Sequence, residues 1–83
     1  MSAARRQLAL PDLDLPGVAL TATSWLADVG SRVVEGDRLV EISAGDVTVD
    51  LSAPASGVLA RRCVGIDQPL KTGQVLAWIE VGE

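Results

Sequence analysis

Ile42-Ser43-Ala44-Gly45-Asp46-Val47 lies near the middle of the chain and reads as the tip of a hairpin. Asp37-Arg38-Leu39-Val40-Glu41-Ile42 on one side and Val47-Thr48-Val49-Asp50-Leu51 on the other are rich in β-branched and aliphatic residues, as strands are. The stretch between them contains Gly45, the residue a tight turn wants. With Ala44-Gly45 at its centre, the tip suits a type II turn, or a type I turn continuing into a glycine bulge.

Outward from the tip, short apolar runs alternate with glycine and proline. Before it come a short strand at Leu8-Ala9-Leu10, a surface loop at Pro11–Gly17, a long extended stretch from Val18 to Val29, and Ser31–Val34 between turns at Asp28–Gly30 and Glu35–Asp37. After it come a break at Ser52–Gly57, a strand at Val58–Val64, a turn at Gly65–Pro69, a short strand at Leu70, and a closing strand at Gln74–Glu80. No segment keeps a helical period for three turns, so the reading is all-β, a barrel or sandwich. Residues 1–7 are expected to form a disordered N-terminal arm, residues 8–80 the domain, and residues 81–83 a tail.

The chain has 83 residues, which makes one domain with a small core. Apolar residues make up 48% of it, yet Phe and Tyr are absent, so the core must be Val, Leu, Ile and Ala. Seven basic against eleven acidic residues give a net charge of -4. Nucleic acid is a poor partner for such a surface, because phosphate binding needs a concentrated positive footprint. With no histidine and one cysteine, Cys63, neither a zinc site nor an internal disulfide can form, which fits the cytoplasm. No apolar run approaches a membrane span.

An internal echo refines the architecture. Val29-Gly30, Gly36, Leu39 and Ile42 recur in order as Val64-Gly65, Gly73, Leu76 and Ile79, with two extra residues between the glycines of the second copy. Each half is too small to bury its own apolar face, so two packed sheets related by a pseudo-twofold are expected.

At this point the chain resembles the lipoyl and biotinyl attachment domains. Trp25-Leu26-Ala27-Asp28-Val29-Gly30, with Val33 and Gly36 following, is similar to that family's first-half pattern. Leu39 to Pro54 follows the cofactor-bearing hairpin without a gap, Gly57-Val58-Leu59 continues it, and Gly73–Ile79 matches the closing strand. The resemblance implies a barrel-sandwich hybrid, a flattened barrel of two four-stranded antiparallel sheets. It also implies a carrier role, in which a lysine at the hairpin tip bears a lipoyl or biotinyl arm. In lipoyl members the tip reads Glu-Thr-Asp-Lys followed by Val or Ala, and in biotinyl members Met-Lys-Met. Here those places hold Ser43, Ala44, Gly45 and Asp46, followed by Val47. The valine and the Thr48-Val49-Asp50 continuation favour the lipoyl branch, that of the 2-oxo acid dehydrogenase acyltransferases.

The acceptor lysine is therefore missing. Both cofactors are attached by an amide to a lysine amine, and the carboxylate of Asp46 offers no nucleophilic nitrogen. Lys71, the only lysine, lacks the flanks of an attachment site. Cys63 falls in an expected strand and reads as a buried structural thiol, with no cationic partner to activate it. Without histidine there is no acid-base pair, and Asp46 and Asp50 read as residues of a solvated face. The expectation is a non-enzymatic interaction module without its own cofactor, docking in a multienzyme assembly. The resemblance suggests 2-oxo acid dehydrogenase or acyltransferase components as partners. Candidate contacts are the tip, Ser43, Ala44, Gly45, Asp46 and Val47, and the preceding loop at Asp12, Leu13, Asp14 and Leu15, which lies near the hairpin in family members. The alternative is a carrier of a lipoyl, biotinyl or acyl group through an unorthodox attachment, or one whose lysine has been substituted.

Overall fold

The computed structural model describes residues 4–82. It contains eight strands: β1 (Ala4–Ala9), β2 (Leu20–Trp25), β3 (Arg32–Val33), β4 (Arg38–Ala44), β5 (Val47–Ser52), β6 (Gly57–Arg62), β7 (Pro69–Leu70) and β8 (Val75–Val81). They form two four-stranded antiparallel sheets with orders β1-β8-β6-β3 and β5-β4-β2-β7. The architecture is the all-β, two-sheet barrel-sandwich arrangement that the sequence leads one to expect.

Alternation along the strands makes the core. In β4 the pattern buries Leu39, Val40, Ile42 and Ala44, and in β8 it buries Leu76, Ala77 and Ile79. With Leu10, Ala22 and Leu59 these make an interior of Leu, Ile, Val and Ala, and no polar or charged residue is buried among the described residues. Trp25 packs against this core half-buried, its indole N–H donating to the Val64 carbonyl at 3.1 Å.

The two halves are equivalent, and their hydrogen bonds show how. The Gly30 N–H donates to Leu59 O at 2.8 Å, and Asp67 N–H donates to Ala22 O at 2.6 Å. Leu26 N–H to Leu39 O is matched by Cys63 N–H to Leu76 O, and Gly36 N–H to Ala53 O by Gly73 N–H to Leu10 O. Even a side-chain turn repeats: Asp37 Oδ2 accepts from Val34 N–H, and Gln74 Oε1 accepts from Lys71 N–H, both at 2.9 Å. Ladder irregularities fall at matching places, skipping Leu39 in β4 and Leu76 in β8, Thr23 in β2 and Ala60 in β6. Between β2–β4 and β6–β8 these pairs keep one constant spacing.

That spacing corrects the alignment of the repeat. Gly30 corresponds to Asp67 rather than to Gly65, and no residues are inserted between the halves' turns. Both Gly30 (φ 93°) and Asp67 (φ 66°) adopt the left-handed conformation, and aspartate is one of the few side-chain-bearing residues that tolerates it.

Other boundaries move as well. The disordered arm expected over residues 1–7 is corrected from Ala4 onward, because Ala4–Gln7 pair with β8 through Ala4↔Val81 to Gln7↔Trp78. Residues 1–3 lie outside the described residues, as does residue 83 of the expected tail. The long stretch from Val18 to Val29 is strand only over Leu20–Trp25, since the bulge at Thr23 and the turn after Trp25 end its pairing.

Candidate functional site at the hairpin tip

The hairpin turn is two residues long. β4 runs through Ala44, β5 begins at Val47, Ala44 pairs with Val47, and Gly45-Asp46 alone make the turn. Gly45 has φ 63° while Asp46 is not at positive φ, the pattern of a type II′ turn. This corrects the expected type II turn, or type I turn with a bulge, centred on Ala44-Gly45. The physical reason is twist: primed turns match the right-handed twist of the flanking strands, whereas types I and II splay them.

Asp46 thus occupies the second turn position and is exposed. Of the other tip residues, Gly45 and Val47 are exposed, Ser43 is half-buried, and Ala44 is buried at 3% exposure. Ala44 is therefore part of the core and cannot present a side chain to a partner.

The loop from Pro11 to Ala19 closes on this tip. A Cβ on Gly45 would lie 3.3 Å from Cγ1 of Val18, so the valine side chain rests on the turn and leaves little room for anything but glycine beneath it. Asp12 Oδ1 accepts the backbone N–H of Asp14 at 2.8 Å, and Asp14 itself is left-handed at φ 59°. Leu13 turns inward against the core, while Asp12, Asp14 and Leu15 stay exposed. The structure therefore brings together the tip and the loop through Val18, a contact residue that was not among the candidates. Its signal was available: a β-branched residue directly after Pro16-Gly17, just before a strand that pairs with the tip.

The surface so made is mixed in character. Leu15 (38% exposed), Val18 (36%) and Val47 (54%) are exposed apolar residues of the loop and tip. Asp12, Asp14 and Asp46 supply negative charge on the same loop and turn, and Lys71 lies across a shallow groove beside Pro69 and Thr21. Lys71 is exposed and its backbone N–H is tied to Gln74, so it belongs to a turn of the second half rather than to the tip.

Two further residues differ from expectation or add to it. Cys63 is exposed, not buried, because the bulge at Ala60 changes the parity of β6 and the chain leaves the strand after Arg62. Beside it, the Arg62 guanidinium lies 5.6 Å from the centre of the Trp25 ring. Asp50 faces Glu41 across the ladder, and its Oδ2 pairs with Arg38 Nη1 at 3.2 Å. The other oxygen, Oδ1, is buried and accepts no hydrogen bond among the described residues. No group of three or more His, Cys, Asp or Glu residues is gathered to hold a metal among the described residues, and no helix is long and apolar enough to cross a membrane.

Comparison with known proteins bears on this geometry. A biotin/lipoyl family model, described as "Biotin-requiring enzyme", matches residues 7–79. Over 76 residues, or 92% of the chain, the sequence is 29% identical to the dihydrolipoyllysine-residue acetyltransferase component of the acetoin cleaving system of Pseudomonas putida. The chain spans 20% of the length of that relative. Among solved structures, a single-chain, multi-domain long-chain acyl-CoA carboxylase superposes with a TM-score of 0.77 at 23% identity, over 95% of this chain and 7% of that one. An ectoine utilization protein from Ruegeria pomeroyi superposes with a TM-score of 0.61 at 22% identity, over 88% of this chain and 24% of that one. At these identities the two structures speak for the fold alone.

Proposed function

The chain belongs to the family of biotin- and lipoyl-bearing domains, and from that premise we propose that it is a member that docks without carrying a group. The observation that supports this reading is the apex itself. Asp46 holds the exposed second position of the two-residue turn, the place that the family resemblance gives to the acceptor lysine, and a carboxylate cannot form the amide. The surface around it remains suited to contact, with Leu15, Val18 and Val47 exposed beside Asp46. By analogy with the acetyltransferase component that it is similar to, the partners are acyltransferase or 2-oxo acid dehydrogenase components of a multienzyme assembly.

Intact-mass measurement on protein purified from its own host tests the reading. The expected mass is that of the bare chain. A gain equal to a lipoyl, biotinyl or acyl group would establish the carrier alternative instead, and peptide mapping would then locate the attachment. Asp46→Lys offered to a lipoyl ligase provides the control: modification of the variant with none of the parent isolates the missing amine as the cause. Docking is read by titrating acyltransferase-system components from the host against the chain and against Leu15→Ala. Equal binding by both would remove the loop from the interface.

A further inference from the structure

β1 and β5 are the equivalent outer strands of the two sheets, each hydrogen-bonded to a single neighbour. An edge strand offers unpaired N–H and C=O groups to any other strand unless charge, proline or a bulge blocks it. β1 is blocked in this way, since Arg5 and Arg6 are both exposed on it. β5, Val47-Thr48-Val49-Asp50-Leu51-Ser52, has no proline, its one charged residue, Asp50, is paired with Arg38 of the neighbouring strand at 3.2 Å, and the bulge in its ladder belongs to β4. Because the two-residue turn makes Ala44 and Val47 a hydrogen-bonded pair, Val47 and Val49 bond towards β4. The backbone groups of Thr48 and Asp50 then point away from the sheet.

Charge selects which strand can fill that edge. In an antiparallel pairing of β5 with β5 of a second copy, a register centred on Asp50 sets two carboxylates directly opposite each other. A register centred on Thr48 sets Asp46 opposite Asp50. Like charges in such positions destabilise a sheet. The register centred on Val49 has neither fault, and it places each Thr48 hydroxyl, a donor, opposite the Asp50 carboxylate of the other copy. We propose that β5 is a homodimer interface in which two copies pair antiparallel about Val49, joining their four-stranded sheets into one continuous sheet. Such a contact uses the same patch on both copies and so closes at two. It runs along the flank of the barrel from Val47, a residue it shares with the docking surface at the tip, so pairing covers that end of the docking surface.

Sedimentation equilibrium of the full chain over a concentration series tests the pairing. The expected result is a monomer–dimer equilibrium without larger species. Thr48 is exposed, so Thr48→Asp leaves the circular dichroism spectrum unchanged while weakening association about tenfold or more by setting it against Asp50. The register is read separately with Val49→Cys in a Cys63→Ser background. Non-hydrogen-bonded partners sit with Cα atoms about 4.5 Å apart, within disulfide range, so mild oxidation should yield a covalent dimer. A chain that stays monomeric to millimolar concentration would overturn the proposal. So would an open series of oligomers, the mark of β1 pairing with β5, or an association that Thr48→Asp leaves untouched. Failure of Val49→Cys to cross-link would overturn the register.

Discussion

The hairpin end of this barrel and the end where β1 starts and β8 stops are built from equivalent parts, yet they are finished differently. Ala44 and Val47, the pair that closes the hairpin, correspond to Val81 and Ala4 at the other end. Leu10 and Leu20 correspond to Ala53 and Gly57, so the chain runs through Pro11–Ala19 at one end where it runs through only Pro54–Ser56 at the other. The extra loop residues include Asp12, Asp14, Leu15 and Val18, which give the hairpin end its apolar and acidic surface. The symmetric core supplies stability to both ends, while the candidate site occupies the end where symmetry is broken.

Equivalent core positions should therefore cost equally when truncated. Leu39 and Leu76 are both fully buried at matching bulges, so Leu39→Ala and Leu76→Ala should each cost about 2–5 kcal/mol. For so small a domain that loss threatens folding itself. The gentler pair Ile42→Val and Ile79→Val, at about 0.5–1.5 kcal/mol each, keeps the comparison measurable by urea denaturation. A consistent imbalance between halves in both pairs would break the equivalence.

The two ends should part company at the starts of β2 and β6. A Cβ on Gly57 would run into the backbone carbonyl of Glu80, so Gly57→Ala forces strands apart and should cost about 1–3 kcal/mol. Its counterpart Leu20 already carries a side chain there, half-buried. Leu20→Ala then loses only partial burial, and a smaller fall in the urea midpoint is expected than for Gly57→Ala. At the tip, Gly45→Ala combines a positive φ with the 3.3 Å approach of Val18, and a loss of about 1–2 kcal/mol is expected, read the same way.

How legible this was depended on whether chemistry matched backbone position. The strands were readable because glycine and proline punctuate them, and the core was readable because Leu39, Ile42, Leu76 and Ile79 keep their places in both halves. The repeat slipped between its turns because Asp67 performs the left-handed role that Gly30 performs, hiding the equivalence, while Gly65 nearby offered a false match. Cys63 was misplaced by the bulge at Ala60, since a bulge changes which face every later residue takes and leaves no composition signature. At the candidate site, an aspartate at position 46 could be read directly, whereas the contact of Val18 with the turn, hinted at only by a β-branched residue after Pro16-Gly17, depends on how a nine-residue excursion folds back. The Gly30–Asp67 equivalence has its own check. A Cβ at Gly30 meets open space, so only φ resists substitution, and Gly30→Asn should cost clearly less than Gly30→Val in thermal or urea unfolding.

The smallest expected effect lies where the two halves meet with unlike chemistry. Trp25 and Arg62 are equivalent by register, as Trp25↔Val40 is matched by Arg62↔Ala77. Instead of repeating one side chain, the halves place a cation over an aromatic face at 5.6 Å. Arg62 is exposed, so water and salt weaken the attraction, and Arg62→Gln should cost about 0.5–1 kcal/mol at most. Tryptophan fluorescence can follow unfolding of both proteins, because Trp25 is half-buried and hydrogen-bonded to the Val64 carbonyl in the folded chain. A loss several times larger would mean that Arg62 holds the halves together, and the division between a symmetric stabilising core and ends that differ in finish would then have to be redrawn to include this pair.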